Sequence, residues 1–224
     1  MQERKRDTMQ QVEAIKSEFH RVRAERTVVA LTKNGLKARY MEKNEDAVKA
    51  ALELIPPDAI VGCTGSFSIR QLGLVEMLEK RGNKVVHHWL PGLSPEEDLR
   101  LRHEEIGADV LLTSCNAITM DGKIIDIDAA GNRAAGTMFG PGKVIMVAGV
   151  NKIALDEEEG LHRARHIAAP LNAIRYSLDT PCVKTGFCSD CRSPQRICKV
   201  VLVIERKPSL TDLEVILVGE ELGF

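Results

Sequence analysis

Apolar residues recur along this chain with two periods, one helical and one near-continuous, and their alternation sets the expected architecture. Residues 3–26 contain no glycine or proline, and Met9, Val12, Ile15, Phe19 and Val22 return every three or four positions. That spacing predicts an amphipathic helix. Packing along the edge of the following domain is its expected role, and a contact between two copies in a homodimer is the other reading.

Beyond it, short apolar runs alternate with helical patterns. LKARYM reads as a strand, EDAVKAALELI as a helix stopped by Pro56 and Pro57, and AIVGCTG as a buried strand running into a glycine turn. SIRQLGLVEMLEKRG predicts one helix, with Ile69, Leu72, Val75 and Leu78 on a face that ends at Gly82. NKVVHHW follows as a strand, SPEEDLRLRHEEIG as a capped helix, and ADVLLTS as another buried strand. KIIDID and GKVIMVAGV are strands, DEEEGLHRARHIA is a helix with acidic residues in its first turn, and KVVLVIER and LEVILVGEEL are the last strands. Apolar strands alternating with helices predict an α/β fold with a mostly parallel sheet covered by helices on both faces.

Composition narrows the partners. The 224 residues are 44% hydrophobic, enough for a substantial core, and carry a formal net charge of −1, which does not suggest a nucleic-acid or anionic-membrane binder. The N-terminus lacks the apolar core of a signal peptide and no stretch is apolar for long enough to span a bilayer, so a cytoplasmic protein acting on a small partner is expected.

Three groups of residues suggest chemistry. Gly62, Thr64, Gly65, Ser66 and Ser68 lie between a strand and a helix, where backbone N–H groups and hydroxyls suit an anion; a plain turn capped by serine is the competing reading. Thr113, Ser114 and Asn116 follow a buried strand at its carboxyl end, where open parallel sheets bind ligands. Asp126 and Asp128 share one face of a short strand and are candidate catalytic carboxylates, Asn132 and Arg133 are a candidate carboxylate clamp, and Lys152 sits past another strand end.

The third group is Cys182, Cys188, Cys191 and Cys198, four of the chain's six cysteines, spaced C-x5-C-x2-C-x6-C. In a reducing compartment such a cluster points to metal rather than disulfides. Four soft thiolates suit structural zinc or a four-iron four-sulfur (4Fe-4S) cluster, and Lys184, Arg192, Arg196 and Lys199 are placed to offset their charge.

Several ordered motifs carry a resemblance. TSCNAIT, DGKIIDID, GNR, FGPGKVIMVAGVNKI and RHIAAPLNAIR, with AIVGCTGSFS before them and LEVILVGEELGF after, resemble the LUD domain family of lactate-utilisation proteins over nearly the whole chain. With the helical pattern before it, this divides the chain into an N-terminal amphipathic helix, residues 1–27, and a LUD-like α/β domain, residues 28–224, that includes the cysteine-rich loop 181–199. The resemblance implies a fold similar to ribose-5-phosphate isomerase, glucosamine-phosphate deaminase and CoA-transferases. It also implies a pocket of Gly62 to Ser66, Thr113 to Asn116, Asp126, Asp128, Asn132, Arg133, Asn151 and Lys152.

Family members act with iron–sulfur partner proteins in oxidising L-lactate to pyruvate, which favours the iron–sulfur cluster over zinc and an electron-transfer protein as partner. Two other functions stay open at this point. One is a non-catalytic, zinc-stapled subunit that docks an electron-transfer partner. The other is a cofactor-free isomerase or transferase for a phosphorylated or CoA-linked metabolite.

Overall fold

The computed structural model describes the backbone of residues 2–224 and the side chains of residues 8–224. Met1, the first residue of the assigned N-terminal segment, lies outside the described residues. Six strands form the central sheet in the order β1 (Lys37–Met41), β10 (Asp212–Val218), β7 (Lys143–Gly149), β4 (Val110–Thr113), β2 (Val61–Cys63), β3 (Val85–Val86). Every neighbouring pair is parallel. A second sheet has the order β8 (Ile153–Ala154), β5 (Ala117–Thr119), β6 (Ile124–Asp128), β9 (Val200–Ile204), with β6 antiparallel to both its neighbours. KIIDID and KVVLVIER, expected beside the other strands, therefore leave the main sheet and pair with each other.

The continuous apolar runs follow from burial on both faces. Ile145, Val147, Ile216 and Val218 point into one core under α2 (Asn44–Glu53), α3 (Phe67–Gln71) and α4 (Leu74–Arg81). Val144, Met146, Val215 and Leu217 point into the other, which α1 (Gln2–Lys33) and the second sheet close with Ala24, Leu31, Ile118 and Ile124.

The stretch read as one helix from Ser68 to Gly82 is two. Gly73, at φ +65°, breaks the run between α3 and α4 in a conformation that favours glycine. The helix α5 (Pro95–Ile106) starts as its sequence predicts. The Ser94 hydroxyl accepts from Glu97 N at 3.2 Å, the Glu97 carboxylate accepts from Ser94 N at 2.8 Å, and Pro95 opens the first turn.

Asp156 likewise caps α7 (Glu157–Arg163), accepting from Glu159 N at 2.9 Å. A π-helical turn, Ala164–Ala168, joins it to α8 (Ala169–Arg175), whose first turn holds Pro170, a residue with no N–H to donate backwards.

The second half of the N-terminal helix packs on the domain as expected, but by a different face from the apolar stripe. Its apolar stripe does not pack on the domain: Ile15 is 66% exposed and Phe19 54%, while Ala24, Thr27 and Leu31 face the core. No helix among the described residues is long and apolar enough to cross a membrane.

Candidate functional site

From β2 the chain crosses to β3 on one side and then returns to β4 on the other, so the crevice beyond the carboxyl ends of β2 and β4 is a topological switch point. A cavity of about 410 Å3 opens there. Gly65, Ser66, Ser114, Asn116, Asp128, Asn132, Arg133 and Lys152 are on its wall. Gly62, Thr64, Thr113, Asp126 and Asn151 are near it but support it from behind.

Each supporting residue has a visible job. Gly62 lies so close to α5 that a Cβ would sit 2.0 Å from the Glu105 carbonyl oxygen, so only glycine fits. The buried hydroxyls of Thr64 and Thr113 bond to each other at 3.0 Å and tie the ends of β2 and β4. Asn151 Oδ1 accepts from Leu222 N at 3.1 Å, pinning the last residues over the sheet end. Ser66 caps α3, accepting from Ile69 N at 3.3 Å, as the sequence allowed.

The candidate carboxylates are not equivalent. Asp126 is buried, and its Oδ2 accepts from Arg133 Nε at 2.6 Å. Burial pushes its carboxyl up to about 6 against the pull of the Arg133 guanidinium, and its Oδ1 has no partner among the described residues. Asp128, on the cavity wall, accepts from Ala129 N at 2.7 Å and Ala134 N at 3.1 Å and so fixes the start of α6 (Asn132–Phe139). Arg133 also donates to Ile127 O at 2.6 Å, so its clamp closes first on its own protein.

Lys152 is the buried cation of the cavity, 3% exposed rather than a surface strand cap. Its Nζ donates to Ser68 Oγ at 2.9 Å, Ser114 Oγ at 3.0 Å and the Cys115 carbonyl at 3.0 Å. These are neutral acceptors, and burial pushes the amine down to about 8. Arg102, on the same wall, is paired with Asp98. That leaves Lys152 and Arg175 as wall cations with no carboxylate partner among the described residues, and Arg175 Nε is buried with no acceptor. Such a wall suits an anion.

Besides Arg175, sequence reasoning missed two groups. His88 stands on the cavity wall beside Gly65, and Oε1 of the fully buried Glu105 accepts from both His88 N, at 2.7 Å, and His88 Nδ1. That orients the ring, and Nε2 has no protein partner among the described residues. Asn132 Nδ2, 3.4 Å from Glu105 Oε2, and Arg102, donating to Asn132 Oδ1 at 3.2 Å, extend the chain. Nothing local distinguishes Glu105 from the other carboxylates of SPEEDLRLRHEEIG. Arg163 is the second: its guanidinium donates to the Asn151 carbonyl at 2.8 Å and to the Asn116 carbonyl, bracing both loops.

The two remaining cysteines, Cys63 and Cys115, are buried, and burial pushes both thiols up, away from reactivity.

Cys182, Cys188, Cys191 and Cys198 all open onto a second, small cavity with Arg165 and Arg196. All four are free thiols. Asp190 N donates to Cys188 Sγ at 3.4 Å, and Arg196 holds the loop by donating to the Cys191 carbonyl at 2.7 Å and the Cys198 carbonyl at 2.9 Å. Among the described residues no three His, Cys, Asp or Glu side chains meet as ligands of a single ion. Ala169 and Ile197 belong to the walls of both cavities.

A family model described as the LUD domain matches residues 24–218. A search of curated proteins finds no match. Among solved structures, the crystal structure of a DUF162 family protein from Deinococcus radiodurans is similar with a TM-score of 0.50 and 18% identity, over 89% of this chain and 98% of that one, a likeness of fold.

Proposed function

This chain belongs to the LUD domain family, and from that premise we propose that it is an iron–sulfur redox component that takes a small carboxylate, lactate or a relative of it, into the switch-point cavity. The observation that carries this reading is that four thiols open onto one cavity whose wall, through Ala169 and Ile197, is also the wall of the anion cavity.

The donor set fits a 4Fe-4S cluster. Four soft thiols open onto one cavity, a backbone N–H already points at one sulfur, and Arg165 shares the wall with Arg196, which is itself paired with Asp190. Cys182, Cys188, Cys191 and Cys198 would hold the cluster, and when bound it supplies an electron acceptor and donor close to the substrate.

The chain's own residues do the rest. Lys152 and Arg175 bind the carboxylate, Ser66 and Ser114 orient it, and the His88 imidazole, held in place by Glu105, hydrogen-bonds through Nε2 to a hydroxyl or oxo group placed against it. A partner protein that carries electrons away completes this reading, and a reducing, cytoplasmic setting keeps the thiols available. The kinship of the fold with the isomerases, deaminases and CoA-transferases named above belongs to the same proposal. Its support is the parallel sheet with an anion-suited cavity at its strand ends.

Iron, sulfide and zinc analysis of anaerobically prepared protein tests the reading. About four iron and four sulfide per chain are expected, with a broad absorption band at roughly 400 nm, and both should fall away in Cys191→Ser. Stoichiometric zinc without iron would turn the loop into a staple for partner docking, and no metal of any kind would remove the redox reading.

A further inference from the structure

The N-terminal helix carries a seam that the domain does not cover. Val12, Ile15, Phe19, Val22 and Val29 are all more than two-fifths exposed, and they follow the alternating spacing of three and four that defines the a and d positions of a coiled coil. The helix runs unbroken for 32 residues, and residues 8–19 are exposed on every side. A free helical arm of that length is marginal alone in water and needs an apolar partner for its stripe.

The flanking charges say which partner and which way round. With Val12 and Phe19 at a, and Ile15, Val22 and Val29 at d, the flanks read Glu18 and Glu25 at g but Lys16 and Arg23 at e. In a parallel, in-register pair each g residue faces the e residue of the next heptad on the other chain, so Glu18, which within its own helix accepts from Arg21, is also brought against Arg23 of a second copy twice over. An antiparallel pair sets g against g and e against e, which here places like charges together. Arg23 donates through Nη2 to the Ile153 carbonyl at 3.1 Å and has Nε free of any acceptor among the described residues. Arg26 falls at an a position, where its stem packs on the seam and its guanidinium reaches solvent, a device that favours two strands over more.

From these observations we propose that two copies of this chain pair through a parallel, in-register coiled coil running from Val12 to Val29. The seam is about 27 Å long. It leaves both domains on the outside, because the residues that anchor the helix to its own core, Ala24, Thr27 and Leu31, lie on another face.

Light scattering of the full-length chain during size exclusion tests the pairing. At roughly 50 µM the mass is expected at twice the 24.7 kDa of one chain. Phe19→Glu should give a monomer that keeps the domain's cooperative melting and loses helical circular dichroism only from the freed arm, since the ring of Phe19 contacts His20 and the Arg23 guanidinium of its own helix. Monomer at all concentrations, or a trimer, overturns the proposal. For direction, Glu18→Arg should weaken the dimer about tenfold and Glu18→Arg with Arg23→Glu should restore it to within about twofold. A dimer that Glu18→Arg leaves unchanged or tightens overturns the parallel arrangement.

Discussion

A lysine buried among two hydroxyls and a carbonyl is held as a charge without a counter-charge, and Lys152 does that at the centre of the cavity. The arrangement suits an anion that arrives from outside, and it leaves a thermodynamic signature in the empty protein. Burial lowers the amine from its ordinary 10.5 to about 8, with the neighbouring Arg163 and Arg133 acting in the same direction and Asp126 against it. Between those values the unfolded chain binds more protons than the folded one, so stability should rise with pH across that window. Denaturant unfolding at pH 7.5 and 10 should show wild type gaining on Lys152→Met, and equal slopes for the two would place the amine in water.

Gly62 makes the opposite kind of prediction, one of pure sterics. Gly62→Ala drives a methyl into the Glu105 backbone and should cost about 3 kcal/mol in the same unfolding experiment. Because Glu105 positions His88, the damage should also reach the cavity, seen as a shifted imidazole signal by nuclear magnetic resonance.

At the scale of elements, the Asp126–Arg133 pair ties β6 to α6. Arg133→Ala should destabilise by about 3–5 kcal/mol, because it strands a buried carboxylate, and Asp126→Asn with Arg133→Gln should recover most of that loss. A measured loss near zero would show Arg133 free to act on ligand alone.

The elements also show what the chain's pattern can announce. The runs at 143–149 and 212–218 read as buried strands because both their faces are apolar, and Ser94 and Glu97, three residues apart ahead of a helical pattern, mark the start of their helix by spacing alone. The separation of KIIDID and KVVLVIER into a second sheet was not legible, since pairing depends on residues some seventy positions apart. Nor was the break at Gly73, where apolar periodicity continues across a backbone that does not. In the site, the turn residues and strand-end hydroxyls were visible as small polar residues after apolar runs. His88, Glu105, Arg163 and Arg175 were not, because each reaches the cavity from a segment whose local pattern serves another purpose.

For the whole molecule, what matters is adjacency: a cation-lined cavity at the sheet's switch point and a four-thiol cavity share Ala169 and Ile197. The N-terminal coiled coil would double this unit without touching either cavity, so the metal content and carboxylate affinity measured for wild type should be the same in the Phe19→Glu monomer, checked by metal analysis and calorimetry. The loop itself is held chiefly by Arg196, which bonds two carbonyls beside cysteines and pairs with Asp190 at 2.8 Å. Arg196→Ala should hasten loss of metal to a chelator while leaving the domain's melting within about 1 kcal/mol of wild type.

The most direct measurement is electron paramagnetic resonance of the anaerobic, reduced protein, recorded with and without a saturating 2-hydroxy or 2-oxo carboxylate. If the thiol loop and the anion cavity form one redox site, a reduced cluster signal is present and the carboxylate shifts its g-values, an effect lost in Lys152→Met. A protein with no cluster signal, or a signal indifferent to every carboxylate that binds, would contradict the account.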